Sequence, residues 1–132
     1  MQIIFYEKPG CAGNARQKAA LRAAGHEVIA RSLLAEPWTA QRLHVFFAGL
    51  TVQDWFNQSA PAIKSGAIRP ELLNEGEAMA LLLAEPLLIR RPLLQAGEHL
   101  CVGFAAADLK ARLGLVLTEA PDGCAHPPAP CP

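Results

Sequence analysis

Cys11 follows Pro9-Gly10 and heads an alanine-rich stretch, Ala12 to Ala24, of strong helix propensity. A thiol at a helix start meets backbone N–H groups that the helix leaves unpaired, and the helix dipole adds attraction for negative charge. Both effects favour the thiolate, which is the nucleophilic form. At an ordinary pKa of about 8.5 only roughly 3% of a thiol is ionised at pH 7, and a fall of about two units raises the nucleophile on the order of twentyfold. Lys8 and Arg16 flank the position and push the same way, whereas Glu7 opposes the shift if its charge lies close. Cys11 is therefore the candidate reactive thiol.

The other cysteines read differently. Cys101 lies in a short strand-like run and has the character of a buried apolar residue rather than a resolving thiol. Cys124, His126 and Cys131 form C-x-H-x4-C, which has the ligand types of a metal site but the spacing of no common one, so no metal is expected. His26 and His44 read as surface residues, and Trp38 and Trp55 as core or helix-entry residues.

These residues need elements to hold them. Gln2 to Tyr6 is β-rich, the Glu7-Lys8-Pro9-Gly10 loop interrupts it, and a helix over Ala12 to Ala24 is followed by Gly25 and a second strand, Glu27 to Ser32. That is a βαβ unit, for which parallel pairing through a right-handed crossover is the default. Thr39 is a natural N-cap for a helix over Ala40 to Ala48, and Thr51 with Asp54 makes an opening like a capping box. Pro70 suits the first turn of a helix ending near Glu85, with Leu72, Met79, Leu82 and Leu83 at helical spacing as core. Leu93 to Ala96 and His99 to Val102 are strand candidates joined by a turn at Gly97-Glu98, and a helix over Ala105 to Leu113 closes the pattern. The order βαβ, helices, ββα is that of an α/β, thioredoxin-like fold with a helical insertion: a mixed four-stranded sheet flanked by helices.

The chain has 132 residues, room for one domain with its own core. Residues 1–117 are expected to form it. From Thr118 to Pro132 the chain carries five prolines and almost no large apolar residue, the composition of a disordered tail. Twelve basic residues balance twelve acidic ones, which argues against direct nucleic-acid binding. The first residues hold too short an apolar run for a signal peptide and no later run approaches a membrane span, so a cytoplasmic protein without membrane contact is expected. In that reducing compartment the four cysteines are expected to be free of disulfides.

Two blocks, Phe5-Tyr6-Glu7-Lys8-Pro9-Gly10-Cys11 and Pro86-Leu87-Leu88-Ile89-Arg90-Arg91-Pro92-Leu93, resemble the two signature regions of the arsenate reductase-like (ArsC/Spx) family. A third, Trp55 to Lys64, sits where that family has its mid-chain helix and loop, and the resemblance spans residues 2 to 113. The wording YEKPGC, LLAEPW, WFNQSAPAIKSG and LLIRRPL is most similar to the family's nitrogenase-associated branch.

The resemblance implies that Cys11 and Arg91 occupy the positions of the reductases' cysteine and one of their arginines. Two further oxyanion-gripping arginines fall on Asn57 and about Val102, and neither is arginine here. The reductases' histidine four residues before the cysteine is Glu7, and their serine three residues after it is Asn14, which also removes the CxxC of the Spx-type regulators. The resemblance further implies a cis bond before Pro92 that sets Arg91 beside Cys11, where a guanidinium can hold an oxyanion or a glutathione carboxylate. Lys8, Asn14, Arg16 and Pro92 are the expected binding residues around the catalytic pair.

Two readings of function stay open. One is a single-cysteine oxidoreductase of arsenate reductase type that is a poor arsenate reductase, with glutathione as co-substrate or glutaredoxin as partner and no resident cofactor. The other is a non-catalytic binding or regulatory protein of nitrogen metabolism or transcription that keeps the fold.

Overall fold

The computed structural model describes residues 1–117, so the proline-rich segment from Thr118 onward lies outside the described residues. Strand β1 (Gln2–Glu7) leads through the Lys8 to Gly10 loop into helix α1 (Ala12–Ala23), and β2 (Glu27–Ser32) follows. The insertion carries α2 (Ala40–Phe46), the single turn α3 (Pro61–Lys64) and α4 (Glu75–Ala84). Strands β3 (Leu93–Ala96) and β4 (His99–Val102) then form a hairpin, closed by α5 (Ala106–Asp108) and a π-helical turn over Leu109–Leu113. The sheet order is β2-β1-β3-β4, with β1 parallel to β2 and antiparallel to β3, and β3 antiparallel to β4. This is the expected mixed four-stranded α/β sheet.

Alternation along β1 decides the two layers, because successive side chains of a strand point to opposite faces. Ile3 and Phe5 bury against Leu21 of α1 and against Phe104, Leu109 and Leu113 of the C-terminal turn. Tyr6 faces the insertion, whose core holds Leu43, Phe47, Trp55, Met79 and Leu82. Phe47 stacks on Trp55 with ring centroids 4.8 Å apart, and Trp38 meets Tyr6 edge-on at 5.0 Å while its Nε1 donates to the Leu33 carbonyl at 2.8 Å. Both tryptophans thus pack as expected. Among the described residues no helix is long and apolar enough to cross a membrane.

The insertion departs from the expected helices in two places. The Thr51 opening leads only into one 3-10 turn, Val52–Trp55, with Thr51 Oγ1 spent on Asp54 Oδ2 at 3.2 Å and no side-chain cap formed. The helix expected from Pro70 is two elements: a 3-10 turn, Pro70–Leu72, and α4, which starts afresh at Asn74. Asn74 Oδ1 accepts from the Glu77 N–H at 2.8 Å, and Glu77 Oε1 accepts from the Asn74 N–H at 3.0 Å. This reciprocal capping box satisfies two orphan donors and so starts the helix at Glu75 rather than at Pro70. The phase shift turns Leu72 out to 68% exposure and Leu83 to 36%, leaving Met79 and Leu82 as the buried pair of the expected four.

Leu82→Ala should therefore destabilise the fold by about 2 to 5 kcal/mol, whereas Leu72→Ala should stay within about 0.5 kcal/mol of the parent. Denaturant unfolding of the two variants checks the contrast, and equal losses would place Leu72 in the core.

Candidate active site

The loop before α1 is built to present Cys11. Gly10 takes φ +83°, a left-handed conformation that side chains rarely adopt, and the chain turns there into the helix. The Cys11 N–H then donates to the Lys8 carbonyl at 3.2 Å. Cys11 itself is the N-cap of α1: its backbone is extended, and its Sγ accepts from the Asn14 N–H at 3.5 Å, where a serine or aspartate oxygen usually sits. The sulfur is thus directed at an unpaired helix N–H, and only 5% of the residue is exposed.

Asn14 does more than follow the cysteine. Its Oδ1 accepts from the Lys8 N–H at 3.1 Å and its Nδ2 donates to Gln17 Oε1 at 2.9 Å, all within a residue that is 1% exposed. The side chain ties the start of the loop to the first turns of the helix from beneath. Gln17, fully buried, was not among the expected site residues. Its signal lay in the spacing, since Asn14, Gln17 and Leu21 share the inner face of α1 at i, i+3 and i+7.

Glu7 does not act as an isolated charge beside the cysteine loop. Its carboxylate pairs with Lys18 Nζ of α1 at 2.7 Å, with both side chains mostly buried. Lys8 is half-buried, whereas Arg16 is exposed on α1 and contributes at most a solvated charge.

The Arg91-Pro92 bond is cis, as the resemblance implies. Leu93 pairs with Tyr6 in the antiparallel β1–β3 register, so the cis bond just before Leu93 lies alongside the Glu7-Lys8 start of the cysteine loop. Pro92 is buried and its carbonyl accepts from the Gly103 N–H at 2.8 Å. Arg91 is partly buried, and burial lowers its pKa from the ordinary arginine value by penalising the charged form. A cation held in such surroundings favours an anionic neighbour. Arg90 lies flat on Gly103: a Cβ there would sit 2.9 Å from Arg90 Nη2.

The two positions that the resemblance assigns to further oxyanion-gripping arginines are structural here. Val102 is buried in β4 opposite Leu93. Asn57 donates its N–H to the Leu88 carbonyl at 2.7 Å and accepts from the Ser59 N–H at 3.0 Å.

The cysteines fall into two chemical classes. Cys101 is free, fully buried, and its thiol is pushed up to about 11 by burial and then by the Asp108 charge, so it stays protonated at neutral pH. Cys11 is disulfide-bonded, which overturns the expectation that all four thiols are free. The compartment argument excludes a stapling framework but says nothing against a redox-active pair. Cys124, His126 and Cys131 lie outside the described residues, and among the described residues no cluster of three metal-ligating side chains exists.

Residues 6–112 of the chain match the model of the ArsC family. The chain belongs to the ArsC family. It is 45% identical over 120 residues to an uncharacterized 15.7 kDa protein in the draG 3' region of Rhodospirillum rubrum, covering 91% of this chain and 84% of that protein. It is 26% identical over 110 residues to the regulatory protein MgsR of Bacillus subtilis, covering 82% of this chain and 87% of the regulator. Among solved structures, an ArsC family related protein from Bacteroides fragilis superposes with a TM-score of 0.72 at 25% identity, over 84% of this chain and 98% of that one.

If Asn14 clamps the cysteine loop, Asn14→Ala should cost about 1 to 3 kcal/mol, because Gln17 Oε1 and the Lys8 N–H each lose a partner where water has little access. Urea unfolding measures it. A loss below about 0.5 kcal/mol would show that the loop holds itself without the side chain.

Proposed function

We propose that this ArsC-family chain is a thiol oxidoreductase in which the Cys11 thiolate, once reduced, attacks a small oxidant or a disulfide. The observation that carries the reading is the seat of Cys11: an N-cap sulfur accepting a helix N–H and engaged in a disulfide. The helix N-terminus favours the thiolate over the thiol by up to about 2 kcal/mol at a partly buried site. Lys18 neutralises Glu7, the one acidic group of the loop, and so removes the main opposing charge. Arg91, beside the loop and partly desolvated, is the group to hold an anionic substrate such as the carboxylate of glutathione. Glutathione or a glutaredoxin supplies the reducing equivalents, and assignment to the nitrogenase-associated branch rests on the sequence blocks quoted above.

Arsenate is a poor substrate on this reading. Each missing charge-assisted contact to an oxyanion costs about 1.5 to 3 kcal/mol, so the two absent arginines amount to roughly two to four orders of magnitude. Lys64 is exposed in α3, Arg69 is paired with Glu71 at 3.0 Å, and Arg90 is packed on Gly103.

A second reading is supported by the likeness to the regulatory protein MgsR and by Asn57 and Val102 in place of arginines: a binding or regulatory protein of nitrogen metabolism or transcription. Limiting iodoacetamide on the fully reduced protein near pH 7 separates the two. An oxidoreductase should be labelled first at Cys11, and Arg91→Ala should slow that labelling without lowering the melting temperature. Preferential labelling of the remaining cysteines with no effect of Arg91→Ala would favour the regulator.

With glutathione and glutaredoxin supplied, the protein should turn over arsenate at no more than about a hundredth of the rate of an ArsC-family arsenate reductase assayed beside it. Comparable rates would mean that other cations reach the oxyanion.

A further inference from the structure

Strand β2 leaves one side of its backbone unused. It lies at an edge of the sheet, with β1 on one flank and no strand among the described residues on the other. The Glu27 N–H donates to the Met1 carbonyl at 2.9 Å and the Leu33 N–H to the Glu7 carbonyl at 2.8 Å, so the odd-numbered residues of β2 are the ones bonded to β1. The N–H groups of Val28, Ala30 and Ser32 and the carbonyls of Val28 and Ala30 therefore point outward, because successive residues of a strand direct their backbone groups to opposite flanks. The Ser32 carbonyl alone turns back, to accept from the Ala35 N–H at 3.3 Å.

Such an edge is a template for another strand, and proteins blunt it with lysine, proline, a bulge or a short length. Strand β2 has none of these devices: it is six residues, EVIARS, in unbroken register with β1. The opposite edge, β4, has four residues.

The side chains select the partner. Glu27, Ile29 and Arg31 share one face, the face of Ile4, which is the register neighbour of Ile29 and packs against the insertion cluster. Glu27 and Arg31 are exposed, and Ile29 is half-buried yet packs into neither core cluster. Neither charge forms an ion pair among the described residues; Glu27 Oε2 accepts from Gln2 Nε2 at 3.2 Å.

Laid antiparallel against a copy of itself with Ile29 on the twofold axis, the strand puts Glu27 of each copy opposite Arg31 of the other. Val28 then faces Ala30 of the second copy, and each such pair exchanges both N–H···O bonds through groups that already point outward. Ile29 meets its own copy as the close, non-hydrogen-bonded pair. Moving the axis to Val28 or to Ala30 still sets outward groups against outward groups but loses both charge pairs, so the charges choose the register.

We propose that the β2 edge is a self-association surface, through which two copies of this chain pair antiparallel and join their sheets into one. The occupant is a second copy because the strand is complementary to itself in charge and in hydrogen-bonding register at once. Ser32 is the register partner of Glu7, so the cysteine loop lies at the Ser32 end of β2. Antiparallel pairing sets the two loops at opposite ends of the joined strands and covers neither. The pairing therefore does not depend on Cys11 acting as a nucleophile.

The test uses the full chain, kept reduced so that no disulfide links copies, in sedimentation equilibrium across a concentration series at low ionic strength. A reversible monomer–dimer equilibrium is expected. Glu27→Arg and Arg31→Glu, made separately, each set like charges opposite at both ends of the pair and should raise Kd by about tenfold or more. The variant carrying both changes exchanges the charges and should return Kd to within about threefold of the parent. Ala30→Pro removes an N–H that β1 does not use, a change that an edge strand tolerates, and should abolish the dimer with the circular dichroism spectrum unchanged. Hydrogen exchange reads the interface directly: the Val28 amide should be protected at high protein concentration in the parent and exchange freely in Ala30→Pro. A parent that stays monomeric up to about 1 mM overturns the proposal. So does a dimer whose Kd neither charge reversal nor Ala30→Pro moves, and so does a double variant no tighter than the single ones. Each of these outcomes leaves the labelling of Cys11 as it was, so the oxidoreductase reading stands or falls separately.

Discussion

Strand β1 is hydrogen-bonded on both sides, and the candidate site is set by where its C-terminal end comes to lie. Parallel pairing with β2 requires the chain to cross over through α1, so the loop after Glu7 must turn at once into a helix start. Antiparallel pairing with β3 in the register Tyr6 to Leu93 brings the cis Arg91-Pro92 step to the same end. Two segments about eighty residues apart in sequence are thereby fixed as neighbours without any contact between their own side chains being needed.

The electrostatics of that end are arranged by elements that touch no substrate. Lys18 lies two turns into α1 and neutralises Glu7, so the loop retains the attraction of the helix N-terminus with little opposing charge. Asn14 and Gln17, almost wholly buried, spend their polar groups on the loop backbone and on each other, as polar groups removed from water must. Gly103 leaves room for the Arg90 guanidinium on one side and donates to the Pro92 carbonyl on the other, which anchors the proline from β4.

Burial has opposite consequences for the two described cysteines. Cys101 sits on edge strand β4, where burial and the Asp108 charge outweigh the attraction of Arg112 and Arg90, so the thiol stays protonated. Cys11 is nearly as buried, but its sulfur faces an N–H that the helix leaves open. The difference in reactivity expected between them comes from what their backbones leave unpaired rather than from exposure.

Much of this was legible in the sequence. The strands β2, β3 and β4 lie where their β-rich runs place them, Thr39 caps α2 through the Arg42 N–H, and Gly97 takes the positive φ that the hairpin turn needs. Cys11 could be recognised as the head of a helix because Pro9, Gly10 and the alanine run are local signals, read within a few residues of chain. The insertion was less legible: Asn74 with Glu77 is itself a local signal, but it competed with Pro70, and the capping box formed in the structure starts the helix at the former while Leu72 faces solvent. Gln17, the pairing of Glu7 with Lys18 and the seat of Arg90 on Gly103 depend on which helix face meets the sheet and on how close two strands' ends approach. Sequence alone determined which residues are candidates for the chemistry and the order of the elements, because those follow from residue type and short-range spacing. Only the tertiary structure decided which charges cancel, which thiol is inert and which is bonded, because each of these is set by burial and by neighbours distant along the chain.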